Sequence, residues 1–463
     1  MNQRIQPLRR ISIALFALLS LAFATGCNLF DPVVSVGSPS PDVAVTPQPA
    51  ETSAPATPMV MPQETPSPTE EVLPTETPGE ANGAGAYTIA ADVSESKKTY
   101  YSESEDENAL RVENGAIAGV DGARVEKRSG DATSLENVLQ YGLNAAVLTR
   151  ANAQLLLLNS DVTANALGAG GVYAYAGRVQ LENSVVRATG ASAFALFASA
   201  DGSVHTIESS LSTQGTDSPA LITSITGQLF IEGGMAATGG ERSPVMLVSG
   251  SVSATGATLR ANNSEAIAIS GGTVTLTDCA VSGHMPDAAV SGTLLSPYCV
   301  ALYKDGKGGA LSSFSMTRGA LSALNGDMFY VTNTGASIYL EGVSLTLGEG
   351  RTLLRVGGND GTRGWGNAGK NGADCAVIAK DQQLTGNIVV DALSSVSLTL
   401  QGDTVFTGTV NVANTARAAK VTLEDGASWS LTDNAYLTSF TGRVSAIETN
   451  GFTVFVNGVA LTK

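Results

Sequence analysis

An all-β, right-handed parallel β-helix is the fold class this sequence predicts, and three observations predict it. From about residue 140 to the C-terminus a short pattern recurs: an alternating apolar strand, a small turn, then a second short strand. It reads Val-Gln-Leu-Glu-Asn-Ser-Val-Val at 179–186, Val-His-Thr-Ile-Glu-Ser-Ser-Leu at 204–211 and Val-Thr-Leu-Thr-Asp-Cys-Ala-Val at 274–281. A further apolar segment lies between these pairs, for example Gly-Gly-Val-Tyr-Ala-Tyr at 170–175 and Ser-Ala-Phe-Ala-Leu-Phe at 192–197. It returns every roughly 21 to 27 residues, the interval of solenoid repeats. Composition agrees: 51 glycines and only 15 % charged residues suit many short strands joined by tight turns.

Each repeat therefore supplies three short strands, one coil. A single coil cannot bury its inward face, but coils stacked at about 4.8 Å pair every strand with its equivalents above and below. Alternation places Val179, Leu181, Val204, Leu229, Ile231, Val274 and Leu276 inside. The repeated strand keeps its polarity and position in every unit, which favours a parallel helix over a sandwich of hairpins. Residues 140–463 form this helix and end in shorter coils with a closing strand at 452–456. Residues 86–139, with the acidic run at 102–107, read as a cap over its open end.

The N-terminal part has a different logic. In residues 1–27, Arg4, Arg9 and Arg10 precede an apolar stretch too short to span a membrane as a mature helix. The stretch ends in Ala24-Thr25-Gly26-Cys27, which resembles the lipobox of bacterial lipoproteins, and the resemblance implies lipidation of Cys27. The expected location is the outer face of a bacterial membrane or the cell surface, with the head extracellular. Residues 28–85 are rich in Pro, Thr and Glu, a composition that cannot repay the entropy of ordering. They are expected to be a disordered, extended stalk.

The segments Tyr-Gly-Leu-Asn-Ala-Ala-Val-Leu at 141–148, Gly-Asp-Met-Phe-Tyr-Val-Thr-Asn at 326–333, Arg-Gly-Trp-Gly-Asn-Ala-Gly at 363–369 and Leu-Thr-Gly-Asn-Ile-Val-Val-Asp at 384–391 add a second resemblance. They are similar to segments of bacterial cell-surface right-handed β-helix proteins with a pectin-lyase-like fold, described as adhesin-like. The similarity runs from about Asn108 to the C-terminus. It implies a fold and a location, and it carries over no catalytic residue.

Chemistry is harder to read. Hydrolysis of a glycosidic bond needs two carboxylates flanking it, whereas Asp161, Asp201, Asp278, Asp287, Asp305 and Asp327 are scattered and fall mostly at turns. Glu182, Glu208 and Glu232 each follow the alternating strand in adjacent units, and stacked they would form an acidic column able to hold a cation such as calcium. His205 and His284 are too far apart to suggest a paired metal site. Trp365 with Asn359, Asp360, Arg363 and Asn367 offers a stacking surface beside polar groups, the strongest binding candidate. Packing of Trp365 against the helix is the other reading. Outward threonine columns are not evident. Beyond Cys27, the cysteines are Cys279, Cys299 and Cys375, and Cys279 sits where Ser184, Ser210 and Gly234 sit in other units.

A formal net charge of -16 with no basic stripe argues against nucleic acid. The expectation is a monomeric, membrane-anchored head that binds glycans or a host or cell-wall surface, without catalysis. A polysaccharide lyase or glycoside hydrolase of pectin-lyase-like fold is the alternative, and a structural spacer of the envelope is the third.

Overall fold

A coil closes only if the chain can turn sharply between strands, and this chain does so at one position repeated turn after turn. In a computed structural model, which describes residues 82–286, 297–305 and 311–462, the chain is a parallel β-solenoid of about 13 turns. The described residues lie in one compact unit, Glu80–Lys463. Residues 1–81, with Cys27 and nearly all of the expected stalk, lie outside them. No helix among the described residues is long and apolar enough to cross a membrane.

Each turn gives one strand to each of three sheets. In one turn these are Phe194–Ser199, Ser203–Ile207 and Ser210–Thr213. The broad face, containing Ser203–Ile207, has fourteen strands from Val93–Ser96 to Ser439–Thr441. The second face, containing Ser210–Thr213, has ten strands and ends at Ser344–Thr346. A separate four-stranded sheet begins one turn later at Gln383–Thr385. The third face, containing Phe194–Ser199, has twelve strands, ending at Asn387–Val390. Coils begin well before residue 140: Val93–Ser96 and Thr99–Ser102 already pair in register with Ile117–Asp121 and Arg124–Lys127. At the C-terminus Val454–Val456 pairs antiparallel with Val459–Ala460. That hairpin blunts the last strand edge.

Register explains the core. Val179, Val204, Leu229, Val252, Val274 and Phe314 are directly stacked partners and are all buried. Leu181 and Leu276, two strand positions on, are buried as well, as alternation requires. Each such side chain contributes roughly 1.5–3 kcal/mol on leaving water, which a lone turn with two open faces could not collect.

The turn after each broad-face strand from Val93–Ser96 to Asp374–Lys380 is two residues long, and it lengthens at Gly402. Its first residue is left-handed in twelve successive turns, from Lys97 through Asn159, Asn183, Glu208, Gly233, Gly256, Asp278, Arg318 and Asp381 to Gly402. That region normally favours Gly and Asn, yet here Glu208 adopts φ 46° and Arg318 φ 58°. The second turn residue is small and buried in several of these turns, as Ala123, Ser160, Ser184, Ser209, Ala257 and Cys279. Ser184 and Ser209 occupy it in adjacent turns, and each hydroxyl accepts the N–H of the residue one turn earlier, Ser160 at 3.1 Å and Ser184 at 3.2 Å. The same hydroxyls donate to the carbonyls of Glu182 and Ile207. This ladder satisfies backbone groups that the corner would otherwise strand. The register also corrects the alignment of Cys279. Its equivalents are Ser184, Ser209 and Gly234, because Ser210 pairs with Val185 and Met235 on the following strand. Cys279, Cys299 and Cys375 are free and buried.

Candidate functional site: the outward faces

The outward column of the third face is unusually apolar, with Leu148, Tyr173, Phe197, Ile222, Leu247, Ala268, Ala301 and Tyr330 as successive partners. Two pieces of chain cover it. The helix Leu135–Tyr141, capped by Ser134 and ended by left-handed Gly142, buries Val138 against Leu148, Tyr173 and Phe197. Further along, the loop over residues 357–373 buries Trp365 against Ala268, Met285, Tyr298, Ala301, Tyr303 and Tyr330. Between the covers a cleft of about 360 Å³ remains, floored by Ile222, Leu247 and Ala268.

This geometry places the residues of the predicted Trp365 site. Trp365 is only 8 % exposed and stacks on Tyr303 at 4.2 Å, so its ring faces belong to the fold. Asn359 is buried too. Its amide donates to Thr332 Oγ1 at 2.7 Å and to the Trp365 carbonyl at 2.9 Å, while buried Asn371 donates to that same carbonyl at 3.0 Å. Arg363 donates to Tyr298 Oη at 2.7 Å and lies over the indole at 5.2 Å. Asp360 accepts from the Thr362 N–H and hydroxyl, and these bonds hold its carboxyl below the usual range. Asn367 is exposed at the loop tip. The five residues are brought together in one loop, where Asn359, Arg363 and Trp365 fasten it to the third face and Asn367 stays exposed.

The glutamate column is likewise redrawn by register. Glu182 pairs with Ile207, and Ile207 pairs with Glu232, so an isoleucine separates the two acids. Glu208 belongs to the left-handed turn column beside them. The sequence pattern matched residue type across one position of drift. Glu182 accepts from Gln180 at 2.5 Å and Glu232 lies 2.9 Å from His205 Nε2. Among the described residues, no three His, Cys, Asp or Glu side chains are grouped to hold a metal ion. The acidic residues at turns have partners of their own: Asp278 makes paired hydrogen bonds to Arg318 in the next turn, which hold its carboxyl low. Asp327 is buried against Arg355 at 2.9 Å.

The broad face carries what the sequence reading missed. In Ser251–Thr255, Thr273–Thr277 and Ser312–Thr317 every outward position from 251 to 317 is serine or threonine, and register stacks them three by three. Thr255, Thr277 and Thr317 form one column, and Ser253, Thr275 and Ser315 another. Against the expectation that outward threonine columns are not evident, the register shows one short column, Thr255, Thr277 and Thr317. Strand geometry spaces these hydroxyls at about 4.8 Å along the axis and roughly 6.6 Å along each strand. Only that of Ser313 has a hydrogen-bond partner among the described residues, Ser337 Oγ at 3.0 Å. The central column continues into an aromatic ring at both ends: Phe230 pairs with Ser253, and Ser315 pairs with Tyr339. Both rings are half-buried. The signal was present as the alternating Ser/Thr in each strand, but unequal spacing along the chain hides the vertical alignment, since Thr317 follows Thr277 at a much longer interval than Thr277 follows Thr255.

Comparison with protein-family models, with curated proteins and with solved structures found no match.

Proposed function

We propose that this chain is a lipid-anchored extracellular protein whose solenoid head binds a carbohydrate surface through its broad face. One observation carries the binding element: the outward hydroxyl grid of the broad face, with Ser253, Thr273 and Thr275 exposed, which no other described element covers. The third face covers most of its apolar column with a helix and a loop, whereas the grid, Ser313 apart, offers donors and acceptors that have no partner among the described residues. Ala24-Thr25-Gly26-Cys27 supports the anchor, and the Pro/Thr-rich residues after it support a spacer that lifts the head from the membrane.

The test uses the full chain expressed with its leader. Membrane fractionation of wild type and Cys27→Ser reads the anchor: wild type sediments with membranes and the variant is released. Vesicles carrying the protein are then applied to polysaccharide-coated glass. Adhesion that falls about tenfold or more in Thr275→Lys supports the reading, since a charge covered by the ligand on this outward face would be desolvated. Equal adhesion by Thr275→Lys, or none by wild type, overturns it.

A further inference from the structure

We infer that the ligand of the broad face is a neutral, extended, β-linked polysaccharide lying along the solenoid axis, an inference that rests on the carbohydrate reading above. The two rings set the direction. Phe230 and Tyr339 stand in one column, four inter-strand steps apart, which is about 19 Å. Aromatic faces stack on apolar surfaces, and the C–H face of a pyranose is such a surface. A chain running along this column meets a ring, then Ser253, Thr275 and Ser315, then a second ring.

Both rings are braced. The Tyr339 hydroxyl donates to Glu341 Oε2 at 2.7 Å, and Lys380 Nζ holds the other oxygen of Glu341 at 2.7 Å. Phe230 packs edge-on against His205 with centroids 6.3 Å apart, and His205 is tied to Glu232. Rings fixed before binding lose little freedom on binding.

Charge selects the class. The grid itself carries none, so nothing on it neutralises an acidic sugar. The acids beside it are Glu232 and Glu341, and the neighbouring cations Arg318 and Lys380 are paired with Asp278 and Glu341, on a chain of net charge -16. A polyuronate is repelled by this arrangement, and a neutral glycan, whose hydroxyls both donate and accept, matches serine and threonine hydroxyls that do the same. Linkage follows from shape. Phe230, Ser253, Thr275, Ser315 and Tyr339 stack in unbroken register in one column, and an extended β-linked chain stays in contact along such a line, where a coiled α-linked chain lifts off.

Affinity electrophoresis of the full chain in detergent, through gels holding mixed-linkage β-glucan, galactomannan, amylose or polygalacturonate, tests the inference. Retardation by the β-linked neutral polymers is expected, weakened about tenfold by Phe230→Ala or by Tyr339→Ala, the loss of one stacked ring. Thermal melts check that each variant folds. Should Tyr339→Ala fail to fold, Tyr339→Phe keeps the ring and is expected to bind, while Thr275→Lys, at the grid centre, is expected not to. Preference for amylose or polygalacturonate overturns the inference and leaves carbohydrate binding standing. Retardation untouched by the ring and grid variants overturns the site, and no retardation by any polymer overturns both readings.

Discussion

Trp365 and Tyr303 stack with centroids 4.2 Å apart and planes inclined by 29°, and this pair fastens the loop over residues 357–373 to the third face. Asn359 and Asn371 complete the fastening by donating to the Trp365 carbonyl. Trp365→Ala should therefore destabilise the head by about 3–5 kcal/mol, the usual result of emptying a large buried aromatic site. Urea unfolding of wild type and variant measures it. A variant of unchanged stability that had lost glycan binding would return Trp365 to a ligand-contacting role.

The serine ladder makes a second expectation. Ser209 Oγ accepts the N–H of Ser184 at 3.2 Å and donates to the Ile207 carbonyl at 3.0 Å. Ser209→Ala removes both bonds and leaves a buried N–H without a partner, so a loss of about 1–3 kcal/mol is expected. Ser209→Cys should lose less, because Cys279 fills the equivalent corner and its thiol still reaches two carbonyls at 3.4 Å. Chemical denaturation of the three proteins ranks them. Equal loss in Ala and Cys variants would show that volume, and not hydrogen bonding, decides the position.

How far the sequence could be read follows from these corners. The inward set, Val179 through Leu276, was legible because alternation and burial act on each strand separately. The turn was not. Its left-handed position holds Asn183, Glu208, Gly233, Asp278 and Arg318 in different turns, so residue type does not mark it, and Glu208 was matched to Glu182 instead of Asn183. The Cys279 alignment drifted onto Ser210 for the same reason. The role of Trp365 depended on what lies beneath the loop, the outward Ala268, Ala301 and Tyr330, and only register assembles that column. The hydroxyl grid was likewise invisible strand by strand.

Glu208 itself is a place to gain stability. A long side chain at φ 46° sits in a conformation that disfavours L-residues by about 1–2 kcal/mol, whereas Asn tolerates it, as Asn159 and Asn183 do in the two preceding turns. Glu208→Asn should raise stability by about 0.5–1 kcal/mol. The midpoint of urea unfolding reports the change. A lower midpoint would mean that contact of the Glu208 carboxylate with Gly233, over which it lies, outweighs the backbone strain.

Lys127 gives a pH signature. It is fully buried at the corner of the second coil, where Nζ donates to the Glu107 carbonyl at 3.0 Å, to Ser102 Oγ at 3.3 Å and to the Ser104 carbonyl. Burial pulls its pKa from 10.5 down to about 8, against the opposing pull of Glu107, Asp106 and Asp131. Between those two values the unfolded chain binds the proton that the folded chain has released, so this group makes stability rise with pH across that window. The penalty for its charge is fully present below pH 8. The buried thiols act the other way: desolvation pushes Cys299 and Cys375 up to about 12 and raises Cys279, so the folded state keeps protons that the unfolded state loses above about 9. Lys127→Met separates the two. The stability of wild type minus that of the variant, from urea unfolding at each pH, should increase by roughly 2–3 kcal/mol from pH 8 to 10.5. A difference that stays flat or falls across that range would mean that Lys127 is solvated in the folded protein and that the first coils are held by other contacts.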